Sequence, residues 1–128
     1  MVTFESADLD GGIKHIRLGG SLDIQGTEQI DLKMTALTST GKQFVLLDLS
    51  DVSLMASLGI GLIYRCLKAI RLRGGNIVLV NPQPAVALVL ERTNAGKVVA
   101  IVDDLVTACA RVKEVPGGPS GEGASSSS

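Results

Sequence analysis

Residues 44–61 read FVLLDLSDVSLMASLGIG and decide the fold class of this chain. Residues 44–49 form an apolar run that is too short for a helix, which predicts a central strand buried on both faces. From Ser57 to residue 73, apolar residues recur on one stripe at helical spacing, and a glycine pair at 74–75 marks the helix end. A buried strand followed by an amphipathic helix is the repeating unit of α/β folds.

The same alternation continues toward the C-terminus. Residues 77–80 predict a second buried strand, and Pro84 opens a helix because proline suits a first helical turn. Residues 98–102 predict another strand, and residues 104–112 predict a last helix with an acidic start. Strands that alternate with helices in this order predict a mostly parallel sheet.

The N-terminal residues carry a different pattern. Residues 4–7 and 13–18 alternate as paired strands do, around the turn Asp-Gly-Gly at 10–12. The glycines at 19–20 predict the end of the second strand, and residues 21–24 predict a short extended piece or loop. Residues 27–40 then predict a helix, capped at 26–27 and stopped by Gly41. We therefore expect an α/β fold whose mixed sheet begins with an antiparallel hairpin.

One domain accounts for most of the chain. Residues 116–128 consist almost entirely of Gly, Pro and Ser, which predicts a flexible tail outside the packed core. We expect the domain to span residues 1–115. No internal repeat is visible.

Composition excludes several function classes. With 12 Lys plus Arg and 13 Asp plus Glu, the formal charge of −1 argues against a nucleic-acid-binding face. No apolar run approaches the length of a membrane helix, and the acidic start is unlike a signal peptide. The two cysteines and one histidine are too few for a zinc site, and we expect neither a metal nor a cofactor. These features predict a cytoplasmic protein that does not bind membranes.

Catalytic groupings are also missing from the sequence. No nucleophile elbow, dinucleotide loop or phosphate loop is present. His15 falls inside the hairpin and is interpreted as an ordinary strand or surface residue. Asp48 and Asp51 are interpreted as turn residues, and Asp104 as a helix cap. We expect no enzymatic activity.

Ser57 is the one side chain that invites a functional hypothesis. A helical wheel of residues 57–73 points it away from the apolar stripe, toward the side that carries Gly61 and Arg65. One interpretation is a helix cap, in which the hydroxyl accepts a bond from a backbone N–H. The other is a phosphate acceptor, because a helix N-terminus favours an anion.

The arrangement LLDLSDVSLMASLGIGLI (46–63), followed by RLRGGNIVLVNPQPAVALVLERT (71–93), resembles the STAS domain family, specifically bacterial anti-sigma-factor antagonists. Gly-Ser-Leu-Asp at 20–23 is similar to a short G-x-L-D segment of that family. The resemblance implies a STAS-like mixed sheet with about four helices packed mainly on one face. It also implies binding to an anti-sigma factor that is a serine kinase, which frees a sigma factor.

The family's signature, D-S-S-G or D-S-T-G at a helix start, implies roles for individual residues. Ser57 matches the phosphorylated serine and Gly59 the motif glycine, while Ala56 replaces the aspartate and Leu58 the second serine or threonine. Losing the carboxylate at 56 is expected to slow phosphorylation or remove a contact to the kinase. Asp23 resembles a position that helps to meet the kinase, although an ordinary turn carboxylate is the alternative. The resemblance implies a partner surface of Asp23, Ala56, Ser57, Leu58, Gly59, Gly61 and Arg65, and a PP2C-type phosphatase that removes the phosphate.

Two other functions remain open at this point. One is an accessory STAS subunit of an ABC-type lipid transport system, and the other is a scaffold of a stress-signalling complex. A neighbouring kinase gene favours the antagonist, and neighbouring transporter genes favour the transport subunit.

Overall fold

The structure is a computed structural model that describes residues 2–39 and 43–114 of the chain. The predicted tail at 116–128 and the predicted helix stop at Gly41 lie outside the described residues, and the domain limit at 115 stays a prediction. The elements in chain order are β1 (Val2–Leu9), β2 (Ile13–Leu22), α1 (Ile24–Thr38), β3 (Phe44–Met55), α2 (Ser57–Leu72), β4 (Asn76–Val80), α3 (Pro84–Arg92), a 3₁₀ turn (Ala95–Lys97), β5 (Ala100–Val102) and α4 (Leu105–Val112).

The described strands form one mixed sheet in the order β1-β2-β3-β4-β5. β1 and β2 pair antiparallel as a hairpin, and each later pair is parallel. The parallel pairs require crossovers, which α1, α2 and α3 provide. The mixed sheet predicted from the changing periodicity is confirmed.

Helices cover the two faces of the sheet unequally. Buried side chains of α1, α2 and α3 pack in one large apolar cluster against one face. α4 packs through Ala108 and Val112 against the other face, where it meets Leu46, Val78 and Val102. Packing mainly on one face is therefore confirmed, and β3 and β4 are the strands covered on both sides.

Two strands continue beyond their predicted ends. β2 passes through the glycines at 19–20 to Leu22, and β3 continues past residue 49 to Met55. The extensions pair with each other, with Gly19 opposite Asp51 and Leu22 opposite Met55, across two shifts of register. The prediction that the glycines end β2 was wrong. The pairing that extends β2 joins residues more than 30 positions apart, and local strand propensity carries no information about such pairing.

The first helix begins earlier than its periodicity predicts. Asp23 is its N-cap, and one oxygen of the carboxylate accepts a 2.8 Å hydrogen bond from the backbone N–H of Gly26. The predicted cap at 26–27 was wrong because the first turn carries exposed residues, including Ile24 at 62% exposure, which leave no apolar stripe to detect.

The C-terminal elements agree closely with expectation. Pro84 is in the first turn of α3, and Asp104 caps α4 by accepting a 2.7 Å bond from the N–H of Thr107. β5 begins at Ala100 rather than 98, because the N–H groups of Val98 and Val99 both bond the Ala95 carbonyl. Within the described ranges, no helix has both the length and the apolar character to span a bilayer.

Candidate functional site

Ser57 is the first residue of α2, and its side chain is exposed. The residue before it, Ala56, is the N-cap, with an extended backbone at φ −92° and ψ 170°. Ala56 has no oxygen on its side chain, and no side-chain hydrogen bond caps this helix end. Interpreting Ser57 as a cap was therefore wrong, and its hydroxyl is directed to solvent as the helical wheel predicted.

The start of α2 is an electropositive helix terminus without an acidic neighbour in its first turn. The first N–H groups of an α-helix have no acceptor within the helix and carry the positive end of its dipole. A phosphate on Ser57 would therefore be favoured here by about 0.3–1 kcal/mol at an exposed position. The local backbone is suited to an anion.

Pairing of β2 with β3 brings the Asp23 loop next to this helix start. Leu22 lies opposite Met55 in the ladder, and its carbonyl accepts a 2.9 Å hydrogen bond from the N–H of Ala56. Asp23 follows Leu22 directly, so it lies beside Ser57 although 34 positions separate them in sequence. The structure thus brings together two residues that the sequence analysis assigned to one partner surface.

Asp23 also has a structural task that the sequence analysis did not assign. One carboxylate oxygen accepts the Gly26 N–H, and the hydroxyl of Ser21 lies 3.4 Å from the other oxygen. The side chain remains exposed. These contacts hold the carboxylate in one position at the rim of the site.

Two glycines in α2 have different surroundings. Gly59 is buried, and a side chain there would come within 3.4 Å of Leu22 Cβ and Met55 Cγ, so α2 packs closely on the ends of β2 and β3. At Gly61, an added methyl group would meet no atom within 4 Å. Gly61 therefore leaves a flat, open strip on the surface of α2.

Arg65 borders the same strip and forms an ion pair with Asp31 of α1 at 2.8 Å. The hydrogen bond from Arg65 holds the pKa of the Asp31 carboxyl below its ordinary value. Both side chains are largely exposed, and exposed ion pairs contribute only about 0–1 kcal/mol. The free energy of unfolding therefore depends little on this ion pair.

Exposed apolar side chains surround the site, and two of them, Leu54 and Ile24, were not predicted from the sequence. Leu58 is 47% exposed, Leu54 at the end of β3 is 48% exposed, and Ile24 begins α1. In the sequence, Leu54 is part of a short apolar piece and gives no sign of facing solvent. Exposed apolar side chains that lie close together are typical of protein-interaction surfaces.

A second polar cluster lies within the sheet. The Nε2 atom of His15 on β2 is 3.1 Å from an oxygen of Asp48 on β3, and both side chains are nearly buried. The other oxygen of Asp48 accepts bonds from the backbone N–H and the hydroxyl of Ser50, at 3.0 and 2.7 Å. The prediction that Asp48 and Asp51 are turn residues was wrong, because β3 continues through both.

Burial alone would raise the pKa of the Asp48 carboxyl, but the hydrogen bonds from Ser50 and His15 outweigh it and hold the pKa below its ordinary value. A carboxyl with a lowered pKa stabilises the fold above its unfolded-state pKa, and this contribution is lost as pH falls through the folded-state value. We expect Asp48→Asn to destabilise the protein at pH 5 by about 1.5–3 kcal/mol, with a smaller difference at pH 3. Urea unfolding at both pH values measures this, with exposed Asp51→Asn as the control; an equal or larger deficit at pH 3 contradicts it.

No set of three His, Cys, Asp or Glu side chains within residues 2–39 and 43–114 could hold a metal ion. The exposed serine and its surroundings therefore remain the candidate site of the described chain.

Comparison with known proteins gives this site a family context. The sequence profile of the STAS domain matches residues 6–108. The chain belongs to the STAS domain family. The resemblance seen in the sequence is thereby confirmed, and the observed sheet and helices have the STAS fold.

Relatives of this STAS domain include bacterial regulators. The chain is 27% identical over 105 residues to the anti-sigma F factor antagonist of Paenibacillus polymyxa, which covers 81% of this chain and 90% of the relative. It is similar to the anti-sigma factor antagonist SpoIIAA in its unphosphorylated form, with a TM-score of 0.73, 25% identity, and coverage of 88% and 98% of the two chains. The phosphorylated form of Bacillus SpoIIAA matches with a TM-score of 0.66 and 25% identity over 86% and 99%.

Proposed function

We propose that this STAS protein is an anti-sigma factor antagonist controlled by phosphorylation of Ser57. In its unphosphorylated form it binds a cognate anti-sigma factor that is also a serine kinase, and so frees a sigma factor in the cytoplasm. A PP2C-type serine phosphatase restores the binding form. One observation carries this proposal. Ser57, the first residue of α2, is exposed, and its hydroxyl makes no capping hydrogen bond.

The surroundings of Ser57 support a surface that binds the anti-sigma factor. Asp23 supplies a fixed carboxylate, Gly61 an open strip, and Arg65 a cation held only by an exposed ion pair. Exposed apolar area at Leu58 supplies contact surface beside the hydroxyl. A surface that combines charged side chains with exposed apolar area fits a protein partner rather than a small molecule.

A phosphate on Ser57 would act on this surface and not on the fold. The hydroxyl makes no capping bond that phosphorylation would break, and the helix terminus accommodates the added charge. About two negative charges would then face the partner in the middle of the interface. Repulsion and desolvation there cost several kcal/mol of affinity when the partner presents carboxylates or apolar surface.

Ala56 and Leu58 differ from the family signature, and both differences change the proposed binding surface. Ala56 has the extended backbone of an N-cap but places no carboxylate beside the Ser57 hydroxyl that accepts the phosphate. The kinase therefore loses one contact. Leu58 replaces a small polar side chain by an exposed apolar one. We therefore propose a partner interface that depends more on apolar contact, and a slower phosphorylation step, than the family signature implies.

Ser57 variants test the proposal directly. Incubation with candidate anti-sigma factor kinases and ATP, followed by mass spectrometry, is expected to place phosphate on Ser57 and none on Ser57→Ala. Ser57→Ala should still bind the kinase. Ser57→Asp should keep its melting temperature and bind at least about tenfold more weakly by calorimetry.

Ser53→Ala is the matched control, since Ser53 is another exposed serine just before α2. It should be phosphorylated and bound as the unchanged protein is. Phosphate on Ser57→Ala, or full affinity of Ser57→Asp, would refute the proposed switch.

A further inference from the structure

The far end of α2 carries two adjoining depressions that the proposed switch does not use. Leu72 ends the helix that Ser57 begins, about 22 Å away at 1.5 Å per residue. One depression is an apolar groove of about 410 Å³, and the other is a basic cleft of about 440 Å³. Each volume lies within the range of small-molecule sites.

The groove lies between α2 and the 3₁₀ turn. Its apolar lining consists of Tyr64, Leu67, Leu72 and Val98, and the side chains of Lys68 and Arg71 also border it. Leu72 is 82% exposed and Val98 is 43% exposed, so apolar surface is open to water on both sides of the groove. Covering this apolar surface with a hydrocarbon chain would lower the free energy, because it removes apolar area from water.

The cleft begins where the groove ends, because Arg71 and Val98 line both. Lys97 and Arg111 also line the cleft, and Glu114 is the acidic residue at its edge, 3.5 Å from Arg111. Among the described residues that line the cleft, three cations and one carboxylate leave an excess of positive charge.

Arg71 is the residue that points to an anionic ligand. Its guanidinium is half-buried, and within residues 2–39 and 43–114 its one hydrogen bond goes from Nε to the neutral amide oxygen of Asn76, at 3.2 Å. No carboxylate of the described residues pairs with it. Burial lowers the pKa of this unpaired guanidinium, which means that its charge is poorly compensated. Buried cations normally have an anion beside them, and the fork of a guanidinium fits an oxyanion.

We propose that groove and cleft together bind a free, single-chain acidic amphiphile, with its oxyanion head group on Arg71 and Lys97 and its hydrocarbon chain against Leu72 and Val98. Charge complementarity selects the head, and the continuous apolar wall selects the chain. A ligand with only one of these parts leaves the other half of the site in water, and therefore binds weakly.

Three probes separate the two halves of the site in the full-length protein. Octyl phosphate carries both head and chain, n-octanol carries the chain alone, and inorganic phosphate carries the head alone. Calorimetry should give octyl phosphate a dissociation constant at least about tenfold below that of either half probe. In ¹H–¹⁵N spectra, octyl phosphate should shift the amides of Leu72 and of residues 96–100, and leave that of Ser57 unchanged.

Variants assign each half to its residues. Arg71→Gln and Lys97→Gln should each weaken the binding of octyl phosphate about tenfold and leave the binding of octanol unchanged. Lys97 is exposed, so its variant keeps the test valid if Arg71→Gln perturbs the fold. Arg92→Gln, an exposed cation on α3, is the matched control and should change neither.

Leu72→Ser should weaken the binding of both octanol and octyl phosphate. Leu32→Ser, which changes a residue on α1 that is 81% exposed, should weaken the binding of neither. Octyl phosphate that binds no tighter than inorganic phosphate, or equal effects of Leu72→Ser and Leu32→Ser, would overturn the proposal. A dimer in sedimentation that Leu72→Ser dissociates would also overturn it, because a second copy would then cover the groove. None of these outcomes depends on Ser57 phosphorylation.

Discussion

Gly26→Ala is expected to destabilise the protein by about 3 kcal/mol, although alanine is the better helix former. Gly26 is buried in the first turn of α1, and an added methyl group there would collide with the backbone oxygen of Ser21 and lie 2.6 Å from Val2 Cγ2. Because one obstacle is strand backbone, the whole helix start has to move away from β2. Overpacking of this kind commonly costs about 1–3 kcal/mol, and the rigid backbone places this site at the upper end.

Gly61→Ala is the matched control, since it makes the same change in the neighbouring helix. No atom lies within 4 Å of the added methyl group, so only helix propensity changes. We expect Gly61→Ala to stabilise the protein by about 0.5–1 kcal/mol. Urea unfolding of both variants measures the contrast, and two changes of the same sign in the free energy of unfolding would contradict this close packing of Gly26.

Gly26→Ala should also affect the proposed partner surface. The N–H of Gly26 is the donor that holds the Asp23 carboxylate, so a displaced helix start releases that side chain. Asp23→Asn retains an acceptor oxygen for the same cap while removing the charge. Comparing anti-sigma factor binding by these two variants distinguishes the position of the Asp23 side chain from its charge.

Leu47→Ala is expected to destabilise the protein by about 2–4 kcal/mol. Leu47 lies in β3, the central strand, and its side chain has no exposed surface. Its removal leaves a cavity that the surrounding sheet and helices cannot close without moving strands that are paired on both sides. Val78→Ala in β4 should cost less, because it removes fewer buried carbon atoms than Leu47→Ala does.

Leu32→Ala is the control for this core prediction, since Leu32 is exposed on α1. Its free energy of unfolding in urea should stay within about 0.5 kcal/mol of that of the unchanged protein, and so its midpoint should hardly move. A Leu47→Ala midpoint equal to that of Leu32→Ala would mean that β3 is not the buried centre of the sheet.

Local periodicity was a good guide to which elements exist. Residues 44–49 and 77–80 predicted buried strands because they are covered on both faces, and the stripe of α2 predicted its helix because one side of it meets the sheet. The start of α1 was not predictable in this way, since its cap, Asp23, is followed by exposed Ile24. A pattern reports a boundary only when burial changes there.

The exposure of Ser57 followed from the helical wheel, but its capping state did not. Which residue is the N-cap depends on where the backbone leaves the extended conformation, and the bond from Ala56 N–H to the Leu22 carbonyl influences that point. A sequence pattern cannot report such a bond. For the same reason Asp48 was taken for a turn residue, although His15 on the neighbouring strand β2 forms a hydrogen bond with it.

The sequence by itself determined the α/β class, the central strands and the outward direction of Ser57, because these depend on neighbours one to four positions apart. Only the tertiary structure decided that β2 and β3 continue side by side, that Asp23 lies next to Ser57, and that Arg71 joins an apolar groove to a basic cleft. Each of these depends on contacts between residues distant in the chain. Such contacts form when sheet pairing and helix packing close the core, and local side-chain preferences carry little information about them.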